Sequence, residues 1–517
     1  MLLLLQLLAF WMVGRVAGWP RGFPLDDAWI HQVVARVLAQ TGTLGFVPGA
    51  HGGGASSWLW AGLLSLNQLL FHAPPAVYAA ALNGAFYLAS GQLVFGLLRR
   101  DGVAPWLALA LSAAFACGGN FVWFAWSGME ATLVALLSLL AIHSWFAAER
   151  WTTALGAGLC VSALFFTRPE TLGLVLVLGL AKRRSWRDVA LLLAAALVAL
   201  ASYAGLNWLR TGALFPATLA GRRWLWLLPF PGWSRPQLTV ELLLTWADRL
   251  AEYSLGTPSP LLFFAALGFA LWGLIALVLA KRWRTLALVG WAALHLATYA
   301  LLLPALGHGG RYQPLVPATF CLLVCEGLFR VAMDASQLLR LGPRALGVAR
   351  GALFGALAYP MVLGLVAWGS AHAVAVQHVE ATEVAMGRAL ARLPKQARVA
   401  SFDIGGIGYF ADRPVIDLGG LVHPELVTRL QAGTIAEYLR EQRADFVILP
   451  LGYQTDFPDF ANFGEILGLF RNPKLELEPA FQLASRGKPW LEGARATMHS
   501  APRQRLYRIR WPDARQP

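Results

Sequence analysis

The chain has 517 residues, 57% of them hydrophobic and only 14% charged, with a mean hydropathy of +0.55. A soluble domain carries about 25% charged residues, so this deficit excludes an ordinary soluble globule and points to a bilayer. The formal charge of +14 gathers in clusters (Arg99-Arg100, Lys182-Arg183-Arg184, Lys281-Arg282, and Arg340 to Arg350) that cap apolar runs as cytoplasmic loops do, which argues against nucleic acid as a partner.

Met1 to Ala17 is apolar apart from Gln6 and Arg15. It lacks the basic start of a signal peptide and reads as a first membrane helix, with a cleaved signal as the alternative. Either reading leaves Asp26 and Asp27 outside the cytoplasm. An outer segment follows over residues 18–75. It holds a helical pattern with apolar residues Ile30, Val33, Val34, Val37 and Leu38, then a Gly-rich stretch, Gly42 to Ser57. Ser57 to Phe71 is apolar but too short for a span, which suits an interfacial helix.

Further spans are expected near Ala76–Leu98, Ala104–Gly119, Met129–Ala147, Thr152–Phe166, Thr171–Ala181, Val189–Trp208, Leu261–Ala280, Thr285–Pro304, Pro314–Ala335 and Gly351–Ser370. That makes about eleven membrane helices, with the N-terminus inside and the C-terminus outside. A long outer loop over residues 210–260, rich in Trp and Pro, is expected to carry interfacial helices such as Val240–Leu255. After Ala371 the composition changes. His372–Pro394 reads as an amphipathic helix, and Arg398–Phe402, Phe446–Leu449 and Arg505–Arg510 read as strands. The expected organisation is a polytopic α-helical domain over residues 1–370 and a periplasmic α/β domain over residues 371–517. The four cysteines, Cys117, Cys160, Cys321 and Cys325, lie in apolar runs, so no disulfide framework is visible; Cys321 and Cys325 suit packing.

The main chemical feature is Asp26-Asp27. Transfer of a group to an alcohol needs a base for the hydroxyl proton and something to offset charge on the leaving group. An acidic pair can be that base, or it can hold a divalent cation such as Mg2+, Mn2+ or Ca2+. It can also merely cap the following helix. Glu130 falls at the outer end of a helix, where it too can be a cap. Arg168 and Glu170 lie between two short spans; Arg168 can bind phosphate or pair with Glu170 and fix the turn. Arg222 and Arg223 sit in the Trp-rich loop, where headgroup anchoring competes with phosphate binding. Arg311, after Gly309-Gly310, is a further phosphate candidate. His51 and His308 show no zinc-ligand spacing. Gly405-Gly406-Ile407-Gly408 reads as a turn rather than a nucleotide loop, and Asp403 and Asp417 suit either acceptor contact or turn formation.

Several segments occur in a familiar order. Asp26-Asp27-Ala28-Trp29-Ile30 is followed by Gly45-Phe46-Val47-Pro48-Gly49 and Gly54-Ala55-Ser56-Ser57-Trp58-Leu59-Trp60. Then come Trp126-Ser127-Gly128-Met129-Glu130, Thr167-Arg168-Pro169-Glu170, Leu214-Phe215-Pro216-Ala217-Thr218, Gly310-Arg311-Tyr312-Gln313-Pro314, and Ser401 to Leu421. The series resembles the GT-C superfamily of membrane glycosyltransferases, and within it the mycobacterial terminal arabinofuranosyltransferase type. His51-Gly52-Gly53-Gly54, Ala217 and Gln313 depart from that pattern. The resemblance implies an inverting transfer of a sugar, a pentose such as arabinofuranose or a hexose, from a polyprenyl-phosphate donor to an extracytoplasmic glycan or lipid acceptor. It implies Asp26 or Asp27 as the base, and Trp58, Glu130, Arg168, Glu170, Arg222, Arg223, Arg311 and Tyr312 as substrate contacts. It places the enzyme in a bacterial inner membrane with its site on the outer face. A transporter or flippase and a non-catalytic envelope scaffold are the rival readings; a transporter favours inverted repeats and midplane charges, and this chain gathers its charges at one end.

Overall fold

In a computed structural model the chain is described over residues 1–18, 21–47, 56–147, 149–181, 184–214, 218–219, 221, 223, 232–255, 260–302, 307–340, 342–422, 425–451, 463–470, 472–484 and 503–512. Arg222, the Gly-rich residues 48–55, and residues 215–217 lie outside the described residues.

The helices of the first 390 residues run in chain order. They are α1 (Leu2–Val16), α2 (Asp26–Thr41), α3 (Trp58–Leu66, continued by a π turn, Asn67–Phe71), α4 (Pro75–Arg100), α5 (Pro105–Ala116), α6 (Gly119–Trp126), α7 (Ala131–Trp145) and α8 (Trp151–Thr167). Then come a 3-10 turn (Pro169–Gly173), α9 (Leu174–Ala181), α10 (Trp186–Thr211), α11 (Arg235–Leu255), α12 (Pro260–Leu279), α13 (Trp283–Leu302), α14 (Leu315–Leu338) and α15 (Pro343–Val379). A π turn, Glu380–Val384, leads into α16 (Ala385–Leu390).

Six helices of the described residues are long and apolar enough to cross a bilayer, or seven when α5 and α6 count as one bent span. The expected single span 104–119 is corrected here: the chain breaks at Cys117-Gly118, where Gly118 is extended, and α6 departs at 57°. Five further apolar helices are shorter, among them α1, α7 and α8. A second correction concerns residues 351–394. The expected span and amphipathic helix are one continuous rod, because no residue between Ser370 and Val384 breaks helical geometry; even Pro360 sits inside α15. The helix expected at Val240–Leu255 is part of α11.

The sheet domain contains β1 (Val399–Ser401), α17 (Gly405–Phe410), β2 (Val415–Asp417), α18 (Glu425–Gln431), α19 (Ile435–Glu441), β3 (Phe446–Leu451), α20 (Phe463–Ile466), β4 (Glu476–Ala484) and β5 (Arg503–Arg510). The sheet order is β2-β1-β3-β5-β4, with β1 parallel to β2 and β3, and β5 antiparallel to β3 and β4. The three expected strands are β1, β3 and β5. The short β2 and the exposed β4 carry too little apolar alternation to be read from sequence.

Two apolar cores meet at α2. Ala28, Trp29 and Ala35 pack into the core of the helical bundle. Ile30, Val33, Val34 and Val37 pack with Ile404, Ile407 and Val399 of the sheet domain. An amphipathic helix normally buries one stripe; α2 buries two, so the segment that carries the acidic pair is the seam between the bundle and the sheet.

Candidate active site

Asp26 and Asp27 begin α2, but neither caps it. Leu25 is the N-cap residue, and no side-chain bond caps the helix. The two carboxylates point to different partners. Asp26 crosses to the sheet domain, where its Oδ2 accepts the Gly405 N–H at 2.8 Å and its Oδ1 accepts the Gly406 N–H at 2.6 Å. The Gly405–Gly408 segment is thus not a plain turn; it opens α17. A Cβ on Gly405 would run into the carbonyl and carboxyl of Asp26, so only glycine lets the two backbones approach this closely.

Asp403 lies beside Asp26. It receives Gln504 Nε2 at 2.5 Å, and the same amide nitrogen is 3.4 Å from Glu383 Oε1. Burial, with the charge of Asp403 second, pushes the Asp26 carboxyl up to about 7 against the opposing pull of the Gly406 and Gly405 amides. Burial and then the charge of Glu383 push Asp403 in the same direction. Two close carboxylates in one dry site cannot both ionise cheaply, so each keeps its proton to a higher pH than an isolated carboxyl would. Sequence reasoning did not bring Glu383 or Gln504 to this place, since they lie on a π turn and on β5. Asp417 forms a turn: its carboxylate accepts the N–H groups of Gly419 and Val422, both at 2.7 Å.

Asp27 faces the bundle. Its Oδ2 is 2.5 Å from Arg311 Nη2 and 3.8 Å from His308 Nε2. Its side chain is 30% exposed, whereas that of Arg311 is 2% exposed. Behind this pair lies a buried ionic chain. Glu130 Oε1 is 2.8 Å from Arg168 Nε, its Oε2 is 3.5 Å from His31 Nε2, and Arg168 Nη1 is 3.5 Å from Glu170 Oε1. Tyr299 donates a short hydrogen bond to Glu170. The Tyr312 ring lies 4.5 Å from the Arg168 guanidinium and 5.2 Å from that of Arg311, and it stacks on Tyr299. The ring contributes a cation–π attraction to both arginines. His31 was missed from sequence, although it follows Asp27 by four residues on one helix, the spacing that places two side chains on one face.

Of the other candidates, Trp58 stands in a separate aromatic group, stacked on Tyr203 at 4.2 Å with Phe166 beside it and Arg210 over its ring. Arg223 is exposed. Thr218 is buried, and Gly221 lies against the Gly419-Gly420 backbone of the sheet domain.

A divalent cation at the acidic pair would have to displace partners that these carboxylates already hold. Both Asp26 oxygens already accept amide N–H groups, and Asp27 Oδ2 faces a guanidinium. Among the described residues no group of three or more His, Cys, Asp or Glu could hold a metal ion.

A family model described as a domain of unknown function matches residues 372–493. None of the curated proteins matches the chain by sequence. Solved structures do match by fold. The oligosaccharyltransferase AglB from Archaeoglobus fulgidus, in complex with an inhibitory peptide and a dolichol-phosphate, has a TM-score of 0.57 at 12% identity, covering 96% of this chain and 77% of that one. ArnT from Cupriavidus metallidurans in the apo state has a TM-score of 0.56 at 14% identity, covering 98% and 97%. The same protein bound to undecaprenyl phosphate has a TM-score of 0.55 at 13% identity, covering 100% and 98%. The apolar helices and these likenesses together make the chain a multi-pass membrane protein with the GT-C fold.

Proposed function

We propose that the protein is an inverting glycosyltransferase. It moves a pentose such as arabinofuranose, or a hexose, from a polyprenyl-phosphate donor to a hydroxyl of a glycan or lipid acceptor. The site and the sheet domain, residues 371–517, face the outside of a bacterial plasma membrane, over a catalytic bundle of residues 1–370. The observation that carries this reading is the pairing of a partly exposed carboxylate, Asp27, with a buried guanidinium, Arg311, at the seam of a GT-C fold. Two structures of similar fold contain a lipid phosphate, and guanidinium binds phosphate bidentately.

The arrangement divides the roles. Arg168 already has two carboxylates against it, Glu130 and Glu170, so it holds the site together. Arg311 meets the donor phosphate and stabilises the charge that grows on it as the sugar leaves. As the guanidinium turns to phosphate, Asp27 is released to draw the proton from the acceptor hydroxyl. The acceptor oxygen then attacks the anomeric carbon on the face opposite the phosphate. Asp26 acts at one remove, by tying α2 to the sheet domain.

The test is transfer from synthetic polyprenyl-phosphate sugars by the purified full-length protein in lipid. One donor is consumed; Asp27→Asn loses at least a hundredfold in kcat, and Asp26→Asn retains more activity than Asp27→Asn. A chelator arm reads whether a divalent cation joins the acidic pair in turnover. No turnover across a broad donor and acceptor panel, with normal growth of cells carrying Asp27→Asn, would replace this reading with transport or scaffolding.

A further inference from the structure

Asp27 has a difficulty as the final resting place of a proton. Once the phosphate has left, the buried Arg311 guanidinium returns to its Oδ2, which it meets at 2.5 Å in the donor-free protein, and a carboxylate next to arginine favours its charged form. A side chain whose ordinary titration lies near neutral pH stands beside it. His308 Nε2 is 3.8 Å from the same Oδ2, and the imidazole is 23% exposed. We propose that His308 is a further catalytic residue, which forms a proton-accepting pair with Asp27 and carries the acceptor's proton away to solvent. The proposal rests on the sugar-transfer reading above and assigns that site its proton exit.

The backbone holds the imidazole in place. Gly307, Gly309 and Gly310 all have positive φ, at 66°, 63° and 76°, conformations that side chains rarely tolerate. Asn120 Nδ2, itself buried, donates to the Gly309 carbonyl at 2.6 Å. A Cβ on Gly309 would meet the Trp123 ring at 2.8 Å, and one on Gly307 would meet the Tyr312 ring at 2.8 Å. The turn is therefore packed on both sides against buried aromatic residues, and it presents His308 and Arg311 to one carboxylate from a single rigid support. A group kept in register in this way acts without reorganisation cost.

The step balances. The acceptor O–H bond breaks as its oxygen bonds to the anomeric carbon, and the bond from that carbon to the phosphate oxygen breaks with its electron pair leaving on phosphate. The proton passes to the Asp27–His308 pair and rests on the imidazole, whose new positive charge faces the carboxylate. Partial exposure then lets water take it. The charged groups that bear on Asp27 are Arg311 on the turn that also carries His308, Asp26 and His31 on α2, and Asp403 from the sheet domain, with Glu130 and Arg168 acting on His31 behind them.

The experiment is the pH dependence of kcat and kcat/KM for wild type, His308→Asn and His308→Ala in the full-length protein in lipid, with free imidazole added to the Ala variant. Both variants should lose about a hundredfold in kcat with donor KM little changed, the acid limb of the profile near neutral pH should disappear, and imidazole should restore part of the rate. A second measurement is independent of turnover: the NMR titration of the His308 ring should move to lower pH in Asp27→Asn. Wild-type rates and an unchanged profile in both His308 variants would overturn the proposal while transfer by the wild type keeps the reading beneath it. An unmoved His308 titration overturns it as well. Absence of transfer by the wild type would remove both.

Discussion

Asp26 and Arg36, ten positions apart on α2, grip opposite ends of the same short helix in the sheet domain. Asp26 accepts the first N–H groups of α17. Arg36 donates to the carbonyls of Gly408 at 3.3 Å and Tyr409 at 2.9 Å, with its guanidinium over the Tyr409 ring. Negative charge at a helix N-terminus and positive charge at its C-terminus are each favourable. The orphan backbone groups of α17 are thus satisfied by α2 rather than by its own flanks. Loss of either grip should loosen the seam. Asp26→Ala should cost about 2 kcal/mol through two buried amides left unpaired, and Arg36→Ala less, since its carbonyl partners can turn to water. Hydrogen exchange of residues 405–410 in the full-length protein measures both; equal protection in wild type and Asp26→Ala would contradict the clamp.

The same carboxylate makes the seam sensitive to pH. Asp26 and Asp403 both titrate above their ordinary value of 3.8, towards about 7. At these two positions the folded protein therefore binds more protons than the unfolded chain across that window. Stability contributed by the pair is fully present below pH 4 and falls as pH rises towards 7. Asp403→Asn removes one carboxylate and should flatten that dependence. Thermal unfolding from pH 4.5 to 8 in both proteins checks the sign; stability that rises with pH through neutrality in the wild type but not in Asp403→Asn would refute it.

Glu130 and Arg168 test a different link. Both are buried and bonded at 2.8 Å. Truncating one partner of a buried pair leaves the other charge unpaired and typically costs about 3–5 kcal/mol. Glu130→Ala should therefore lower the melting temperature far more than Asp27→Asn, whose carboxylate is partly exposed. Comparable melting temperatures for the two variants would mean that the ionic chain behind the site is not structural.

Sequence carried the site in pieces. Asp27, Glu130, Arg168, Glu170, Arg311 and Tyr312 come from four chain segments, yet each segment was legible because a charged group beside an apolar run is costly and so conspicuous. Their joining was not legible, because it depends on which bundle faces meet. The role of Asp26 was hidden for a related reason. Its partners are backbone N–H groups, which every residue except proline possesses, and they lie 379 and 380 positions away. Glu383 and Gln504 read as ordinary polar residues of a π turn and a strand until β5 brings Gln504 across. The GT-C fold was recognisable from the order of motifs. The continuous rod of α15 was not, since the change in composition near Ala371 marks a change of surroundings and leaves the backbone helical.

The pairing of Asp27 with Arg311 makes a prediction of opposite signs for two substitutions at one contact. If Arg311 must leave Asp27 to meet the donor phosphate, the free protein pays part of its binding energy to break a charge-assisted bond. Asp27→Asn removes that cost and frees a buried cation. It should bind polyprenyl phosphate more tightly than wild type, by roughly tenfold, while failing in transfer. Arg311→Gln removes the cation and should bind it more weakly by a similar factor. The double variant should resemble Arg311→Gln, because without the guanidinium the carboxylate has nothing to withhold. Direct titration of polyprenyl phosphate into the four proteins in lipid measures the cycle. Weaker binding by Asp27→Asn would mean that the carboxylate itself helps to hold the donor, and that Arg311 stays bonded to it throughout turnover.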